Sequence, residues 1–230
     1  MNKIDHRIHY RIVIDTETCP LDRSVKVVMP ENMWAYDIGW AVVDKRGNTY
    51  RTRSFVNADI FLDEKQAMTS AYYFDKMPKY WDEIKAGKRT LTSFYNIRNT
   101  LLADMEEYGV KEVYAHNMRF DLGTLNNTER WLTKSKYRFF FPYGTIICDT
   151  LKMARDILGN MPTYKRFCKE NGFCTARGLP RYTAEIIYRF ISGDKDFTEE
   201  HTGLEDVMIE KEILHYCYRQ HKKMRRVLFD

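Results

Sequence analysis

The chain opens with an alternation of apolar and polar positions that is typical of a β-strand. Ile8, Tyr10, Ile12 and Ile14 occupy every second position, and polar residues separate the first three of them. Successive side chains of a strand point to opposite faces, so this spacing puts the four apolar side chains on one face. The pattern predicts a first strand that ends at Asp15.

Two further strands follow with the same period. Aromatic or branched residues recur at every second position of residues 34–43, and residues 49–56 form another β-prone run. Between them, residues 44–48 read DKRGN, a composition typical of a tight turn. A short turn between two strands predicts an antiparallel hairpin. The aromatic-rich residues 58–88 show no clear period, and we predict short helices and an ordered loop there.

Helical and extended patterns alternate from residue 92 onwards. Thr92 is a candidate N-cap for a helix that runs to Tyr108 and is ended by Gly109. The remaining predicted elements are a strand at 111–115, a helix at 118–132, extended structure at 137–148, helices at 149–158, 163–171 and 183–191, and a final helix at 203–221. This order predicts a single α/β domain over residues 1–230.

The distribution of charge is more informative than the net charge of +5. Residues 130–189 carry twelve Lys or Arg against four acids. A polyanionic partner explains this stretch, and so do solvated helix faces. No stretch approaches the roughly 18 apolar residues that span a bilayer, and residues 1–11 lack the apolar run of a signal peptide. We therefore expect a cytoplasmic protein with no membrane association.

The five cysteines are scattered along the chain without a Cys-X-X-Cys pair. An odd number at irregular spacing fits neither a disulfide framework nor a zinc site. We expect reduced and mostly buried thiols instead.

The first motif with possible chemistry is Asp15-Thr16-Glu17, at the predicted end of the first strand. Residues two apart on a strand face the same way, so Asp15 and Glu17 are able to share one metal site. Two like charges held together are costly unless a cation neutralises them. A strand-end turn, where acids are common, is the structural alternative.

A second acidic motif, HNMRFD over residues 116–121, follows the strand predicted at 111–115. It places Asp121 in the first turn of the next helix. The positive end of the helix dipole also favours an acid there, so a helix-capping role competes with metal binding. We expect His116 and Asn117 to form local hydrogen bonds.

The third motif reads HTGLED over residues 201–206. It leaves His201 on a loop and Asp206 in the first turn of the final predicted helix. Glu205 competes with Asp206 as a candidate ligand. We favour Asp206 because it lies two positions after Leu204 on a helix whose inner face must meet the sheet. A solvated histidine and an ordinary helix-start acid are the structural alternatives.

In combination, DxE after the first strand, HNxxFD after the fourth and HxxxxD at the last helix resemble the DEDD superfamily of 3′→5′ exonucleases. The branch related to proofreading subunits, DEDDh, has a histidine five residues before the last aspartate, which here is His201. The sister branch has a tyrosine four residues before it, where this chain has Thr202. Residues 148–155, which contain the sequences DTL and AR, also resemble a segment of this superfamily. The resemblance covers about residues 8–220.

The resemblance implies an RNase H-like α/β fold, with a central mixed β-sheet flanked by helices. The first three strands would be antiparallel and the later ones parallel. It also implies two-metal hydrolysis that releases nucleoside 5′-monophosphates from the 3′ ends of single-stranded DNA or RNA, with His201 as general base. The implied ligands of two Mg²⁺ or Mn²⁺ ions are Asp15, Glu17, Asp121 and Asp206. The candidate contacts to the terminal nucleotide are Thr16, Thr18 and Asn117.

Several alternatives stay open. The sequence has no feature that separates DNA from RNA substrates. A catalytically inert member that binds nucleic acid or a partner protein is one competing function, and a proofreading subunit that acts with a polymerase in trans is another. Relatives often continue the first motif with Thr-Gly, whereas residues 18–21 read TCPL here. The aromatic residues that either stack on bases or pack in the core are Tyr36, Tyr72, Tyr73 and Phe74.

Overall fold

The computed structural model describes residues 4–21 and 28–229, so residues 1–3, 22–27 and 230 of the predicted domain lie outside the described residues. Within these ranges the fold is built on a six-stranded sheet. Its strands are β1 (Arg11–Pro20), β2 (Met33–Val43), β3 (Thr49–Asn57), β4 (Thr90–Thr92), β5 (Glu112–Ala115) and β6 (Ile146–Asp149). They are arranged in the order β4-β3-β2-β1-β5-β6.

The sheet is mixed, as the sequence predicts. β2 is antiparallel to both β1 and β3, whereas β1 with β5, β5 with β6 and β3 with β4 pair in parallel. Every residue of β2 is buried, which is typical of a strand covered on both faces. The predicted arrangement, antiparallel first and then parallel, is confirmed. The pattern does not predict β4, because three residues are too few to show a period.

The first strand is displaced from its predicted position. It begins at Arg11 and continues to Pro20, so the predicted end at Asp15 is wrong, and Asp15 and Glu17 lie inside the strand. The reason is pairing, because β2 accompanies β1 to its last residue. A register shift between Glu17 and Thr18 marks a β-bulge in this pairing.

Helices cover both faces of the sheet. They are α1 (Ala58–Phe61), α2 (Lys65–Met68), α3 (Met77–Lys85), α4 (Phe94–Tyr108), α5 (Met118–Thr133), α6 (Thr150–Leu158), α7 (Pro162–Glu170), α8 (Ala184–Ser192) and α9 (Gly203–Arg219). The predicted cap of α4 is wrong by one residue, because Thr92 pairs in β4 and Ser93 accepts the capping hydrogen bond. Gly109 ends α4 with a φ of 63°, as predicted. Of the extended stretch predicted at 137–148, residues 146–148 join β6 and the rest is loop.

Two apolar cores lie on opposite faces of the sheet. Ile12 and Ile14 of β1 face the core beneath α4 and α5, while Val13 faces the core beneath α6, α8 and α9. This division follows the two-residue period of a strand. A third, smaller cluster packs α1–α3 against Trp34 and Tyr36 of β2. The helices that carry the second and third motifs, α5 and α9, therefore flank β1 from opposite faces.

All five cysteines are free and four of them are buried, which agrees with the expected reduced thiols. In the ranges that the structure describes, no helix combines the length and the apolar character needed to cross a membrane.

Candidate active site

The acids of the first motif, on β1, open onto a pocket. Asp15 and Glu17 both line it, as residues two apart on a strand are able to do. Other lining residues come from α8, α9 and the loops before α3, α5 and α9. The lining residues are Asp15, Thr16, Glu17, Tyr73, His116, Ala184, Glu199, His201, Asp206 and Glu210. The structure thus brings the first and third motifs together.

The second motif contacts the first directly. Asp121 is buried in the first turn of α5, and the Thr16 hydroxyl donates a 2.8 Å hydrogen bond to its Oδ1. This bond engages the hydroxyl that the sequence offers as a substrate contact. Thr18 and Asn117 are not among the described residues that line the pocket. Contacts of these three residues to a nucleotide stay predictions.

The loop between β5 and α5 is held by hydrogen bonds to the last residue of β6, to the first residue of α6 and to the segment before α8. Asn117 has a positive φ of 69°, and its N–H donates to Asp149 Oδ1 at 3.1 Å. The His116 ring nitrogens lie 3.0 Å from Thr150 Oγ1 and 2.7 Å from the Tyr182 carbonyl oxygen. Asp149 and Thr150 of the DTL segment therefore help to fix the loop that leads into α5, the helix on which Asp121 lies. The expectation of local hydrogen bonds is wrong, because the described partners of His116 and of the Asn117 N–H lie 32 to 66 residues away along the chain.

A close contact between two glycines sets α9 against the sheet. A Cβ on Gly39 of β2 would lie 2.4 Å from the backbone of α9, and one on Gly203 would lie 2.9 Å from the Gly39 nitrogen. Only glycine permits this approach. Asp206 follows in the first turn of α9. Ligand atoms of Glu17, His201 and Asp206 all lie within 4.8 Å of one another.

A buried network fixes the start of α9. Asp37 of β2 accepts hydrogen bonds from the first N–H of α9 (2.9 Å), from Tyr80 (2.6 Å) and from Arg89 (2.8 and 2.9 Å). Arg89 also donates to Glu205 Oε2 at 3.0 Å. Glu205 is therefore engaged outside the pocket, whereas Asp206 lines it. The sequence gives no signal for this network, because its members are far apart along the chain.

Residues 58–88, which we predict as short helices and an ordered loop, contribute Tyr73 to the lining of the pocket. The His201 ring stacks on Tyr73 with centroids 4.7 Å apart and planes at 12°. Lys76 Nζ donates to the His201 carbonyl oxygen at 3.4 Å and lies 4.1 Å from the centre of the Tyr73 ring. The backbone of His201 has a φ of 50°, which non-glycine residues seldom adopt. These contacts hold His201 over the pocket.

The surroundings of His201 favour a neutral imidazole. Burial, and then the positive charge of Lys76, lower the pKa of His201 below its usual value. Its Nδ1 lies 3.7 Å from Glu199 Oε2. A neutral ring is the form that accepts a proton, so the environment suits a general base.

The acids that line the pocket have raised pKa values, and so does Asp121, which does not line it but accepts the bond from Thr16. Burial, and then the charge of Asp206, raise the pKa of Glu17 to about 9. Burial and the charge of Glu199 raise that of Asp206 to about 8. Burial raises that of Asp121 to about 7, although the bond from Thr16 opposes the shift. Among the described residues, Asp206 Oδ1 is buried without a hydrogen-bond partner. Oxygen ligands that need a cation fit Mg²⁺ or Mn²⁺.

The motifs do not account for the whole pocket. Glu210 lines it too, and its spacing of four residues from Asp206 is a helical signal present in the sequence. Tyr73 has no such signal, because it reaches the pocket from an irregular segment. Tyr36 is fully buried in the core and is therefore not available to stack on a base. Tyr72 and Phe74 are exposed, at 85% and 45%.

No protein-family model and no curated protein sequence matches the chain. Among solved structures, zinc-bound E. coli ExoI in complex with single-stranded DNA matches with a TM-score of 0.56 at 13% identity, over 93% of this chain and 41% of that one. The Mg²⁺- and Mn²⁺-bound form of S. pombe Pop2p matches with a TM-score of 0.50 at 12% identity, over 91% and 82%. Exonuclease X in complex with 5′-overhanging duplex DNA reaches 0.47 at 14%, over 91% and 92%, a score too low to support an inference.

These likenesses show the fold. The RNase H-like α/β fold implied by the motifs is confirmed, with its mixed sheet between two layers of helices. The chain spans 41% of the length of ExoI, so the matched region is one part of that protein. Identities of 12% and 13% leave the activity to be inferred from the pocket itself.

Proposed function

We propose that this chain is a DEDDh-type, metal-dependent 3′→5′ exonuclease. It acts as a single domain and releases nucleoside 5′-monophosphates from the 3′ ends of single-stranded DNA or RNA. The observation that carries the proposal is the meeting of Glu17, His201 and Asp206, whose ligand atoms lie within 4.8 Å of one another. Acids from both ends of the chain beside a histidine suit two-metal phosphodiester hydrolysis with a histidine as general base.

The motif acids hold the divalent ions, Mg²⁺ or Mn²⁺, in this proposal. When bound, two ions stabilise the attacking and the leaving oxygen of an in-line displacement. The chain fixes the ligands in advance. β1 carries Asp15 and Glu17 on one side, the 2.8 Å bond from Thr16 orients Asp121, and the glycine contact between β2 and α9 sets the position of Asp206. Such fixed charges need little rearrangement during the reaction.

His201 takes the proton from the attacking water. Its Nδ1 faces Glu199 Oε2 at 3.7 Å, so we assign the base to Nε2. The stack on Tyr73 fixes the plane of the ring, and the lowered pKa keeps the ring neutral before the reaction. The side chain of His201 is 34% exposed, so the proton it accepts has a route to solvent.

Two surface features support a single-stranded nucleic acid as substrate. Tyr72 is 85% exposed and packs edge-on against Tyr73 at the pocket wall, where it is able to stack on a base. In the basic stretch that begins at residue 130, Arg130 lies 4.8 Å from the centre of the Phe139 ring, which is exposed. Cations beside exposed rings suit a flexible polyanion. ExoI, which shares the fold, is described in complex with single-stranded DNA.

The test is digestion of single-stranded DNA and RNA oligonucleotides labelled at either the 3′ or the 5′ end, each with Mg²⁺, Mn²⁺ or EDTA. A 3′ label should appear at once as mononucleotide, while a 5′ label should pass through progressively shorter strands. EDTA should stop both. An internal cut, a 5′-first pattern or activity in EDTA would contradict the proposal. Binding without cleavage would favour the inert alternative, and cleavage only on addition of a polymerase would favour a subunit that acts in trans.

A further inference from the structure

Glu210 is a buried acid outside the three motifs. It lies four residues after Asp206 on α9, which puts both side chains on the same face of the helix. Glu210 is 3% exposed, yet it lines the same pocket as Asp15 and Asp206. The four-acid pattern of the DEDD motifs assigns it no role.

Protein contacts account for only one of the two oxygens of the Glu210 carboxylate. The backbone N–H of His116 donates a hydrogen bond to it, which joins α9 to the loop before α5. Among the described residues, the second oxygen, Oε2, is buried and has no hydrogen-bond partner. Buried polar atoms are nearly always paired, so an orphaned carboxylate oxygen at a pocket indicates a group that this structure does not contain.

Packing alone does not require a carboxylate at position 210. Ile209, Ile213 and Leu214 of the same helix are buried apolar residues. An apolar side chain at position 210 would fill the same space without the cost of a buried charge. Glu210 lies in the same pocket as Asp15 and Asp206, so these like charges repel one another when no cation is bound.

We propose that Glu210 is an additional carboxylate of the cation site, in which His116 N–H holds one oxygen and Oε2 faces the bound divalent ions. This inference rests on the proposed function, because it uses the same ions. With Glu210, the pocket offers more negative charge than the four motif acids supply. We therefore expect tighter binding of divalent ions than the four acids alone would give.

The test is Mn²⁺ binding by isothermal titration calorimetry, without nucleic acid, on wild type, Glu210→Gln and Glu212→Gln. Glutamine keeps the shape of the side chain and an oxygen for His116 N–H, but it removes the charge at Oε2. Glu212→Gln is the control, since the same change on the same helix affects a side chain that pairs with Lys211 outside the pocket. Glu210→Gln should weaken Mn²⁺ binding by about 10- to 100-fold, and the control should bind as wild type does.

Melting temperatures separate cation binding from a purely structural role. In EDTA, Glu210→Gln should melt at or above the wild-type temperature, because it removes an unpaired buried charge, and its gain on adding Mn²⁺ should shrink. If Glu210→Gln binds Mn²⁺ as tightly as wild type, or melts lower in EDTA with an unchanged Mn²⁺ gain, Glu210 is structural and the inference fails. If Glu210→Gln does not fold, Glu210→Asp, which keeps the charge, must restore folding and Mn²⁺ binding. Absence of Mn²⁺ binding in wild type would instead overturn the proposed function.

Discussion

Two regions of this protein bury carboxylates, and they treat them in opposite ways. Asp104 on α4 is 1% exposed and accepts hydrogen bonds from Trp40 Nε1 (3.0 Å), Arg51 (2.7 Å) and Arg53 (3.1 Å). Burial acts to raise the pKa of Asp104, but the bonds from Arg53, Arg51 and Trp40 outweigh it and lower that pKa. In the pocket the pKa of Asp206 is instead raised to about 8.

The difference shows where each region obtains its positive charge. The Asp104 cluster contains its own cations, so its electrostatics are complete within the fold. The pocket concentrates acids beside one another and leaves Asp206 Oδ1 without a hydrogen-bond donor among the described residues. A fold tolerates such a cluster when a ligand or a proton supplies the missing charge. A buried carboxylate whose charge is balanced by neighbouring cations therefore indicates a structural role. A buried carboxylate in a pocket without such cations indicates a functional one.

The largest expected effect tests this distinction through activity. Asp206→Asn should abolish cleavage, a loss of about 10³-fold or more, because it removes a ligand of ions that stabilise the transition state by several kcal/mol. Asp104→Asn, assayed well below its melting temperature, should retain activity. The measurement is the single-turnover rate on a labelled oligonucleotide. Near-wild-type turnover in Asp206→Asn would contradict the two-metal assignment.

The next effect concerns His201, the proposed general base of the pocket. His201→Ala should slow turnover by about 10²–10⁴-fold, the usual contribution of a positioned general base. Binding of single-stranded substrate should change little, since a base acts in the transition state. The wild-type rate should rise with pH through a value below the ordinary pKa of about 6.5, because burial and Lys76 lower the pKa of His201. Strongly weakened binding with intact turnover would make His201 a substrate contact.

Two short-range rules predict which elements carry the motif acids, whereas the assignment of these acids as metal ligands rests on the resemblance to the DEDD exonucleases. A two-residue spacing on a strand put Asp15 and Glu17 on one side, and helix-start positions put Asp121 and Asp206 at the ends of elements that meet β1. The hairpin and the last helix followed from equally local patterns. Local periodicity fixes such features before any tertiary contact is known.

Other features depend on contacts between distant segments, and no local pattern indicates them. β1 extends past Asp15 because β2 pairs with it to the end. Tyr73 reaches His201 from a segment without a period. The Asp104 cluster joins α4 to β2 and β3, and nothing in the spacing of Asp104, Arg51 and Arg53 predicts the contact. Tertiary pairing decides these cases.

A third prediction compares the two regions through stability. Asp104→Asn should lower the free energy of unfolding by about 2–3 kcal/mol, because it removes the counter-charge of Arg53 and one of the two counter-charges of Arg51, which also pairs with Glu107. These arginines are 27% and 36% exposed, so solvent limits the loss. Asp206→Asn should leave the stability of the metal-free protein unchanged or raise it. Urea denaturation in EDTA measures both, and a comparable loss in the two variants would remove the distinction between the regions.

The last comparison is the pH dependence of the metal-free protein, where the two regions act in opposite directions. Folding raises the pKa of Glu17 to about 9 and that of Asp206 to about 8, from ordinary values of 4.5 and 3.8. The folded chain therefore keeps protons that the unfolded chain releases between those limits. The contribution of these two carboxyl groups to the free energy of unfolding is fully present below about pH 4. It is lost as the pH rises towards 8 or 9, by at most about 1.4 kcal/mol per pH unit for each proton.

Asp104 has the opposite sign, since folding lowers its pKa. Its contribution is present above its ordinary pKa of 3.8 and is lost only as the pH falls through the lowered folded value. Between pH 5 and 8 Asp104 therefore adds no slope, whereas Glu17 and Asp206 do. In EDTA, the wild-type free energy of unfolding should fall with pH across this window. Asp206→Asn should flatten the slope, whereas Asp104→Asn should lower the whole curve without changing its slope. Saturating Mn²⁺ should abolish the fall, because a bound cation takes the place of the protons. A wild-type curve that is already flat in EDTA would mean that folding does not raise the pKa values of the pocket acids.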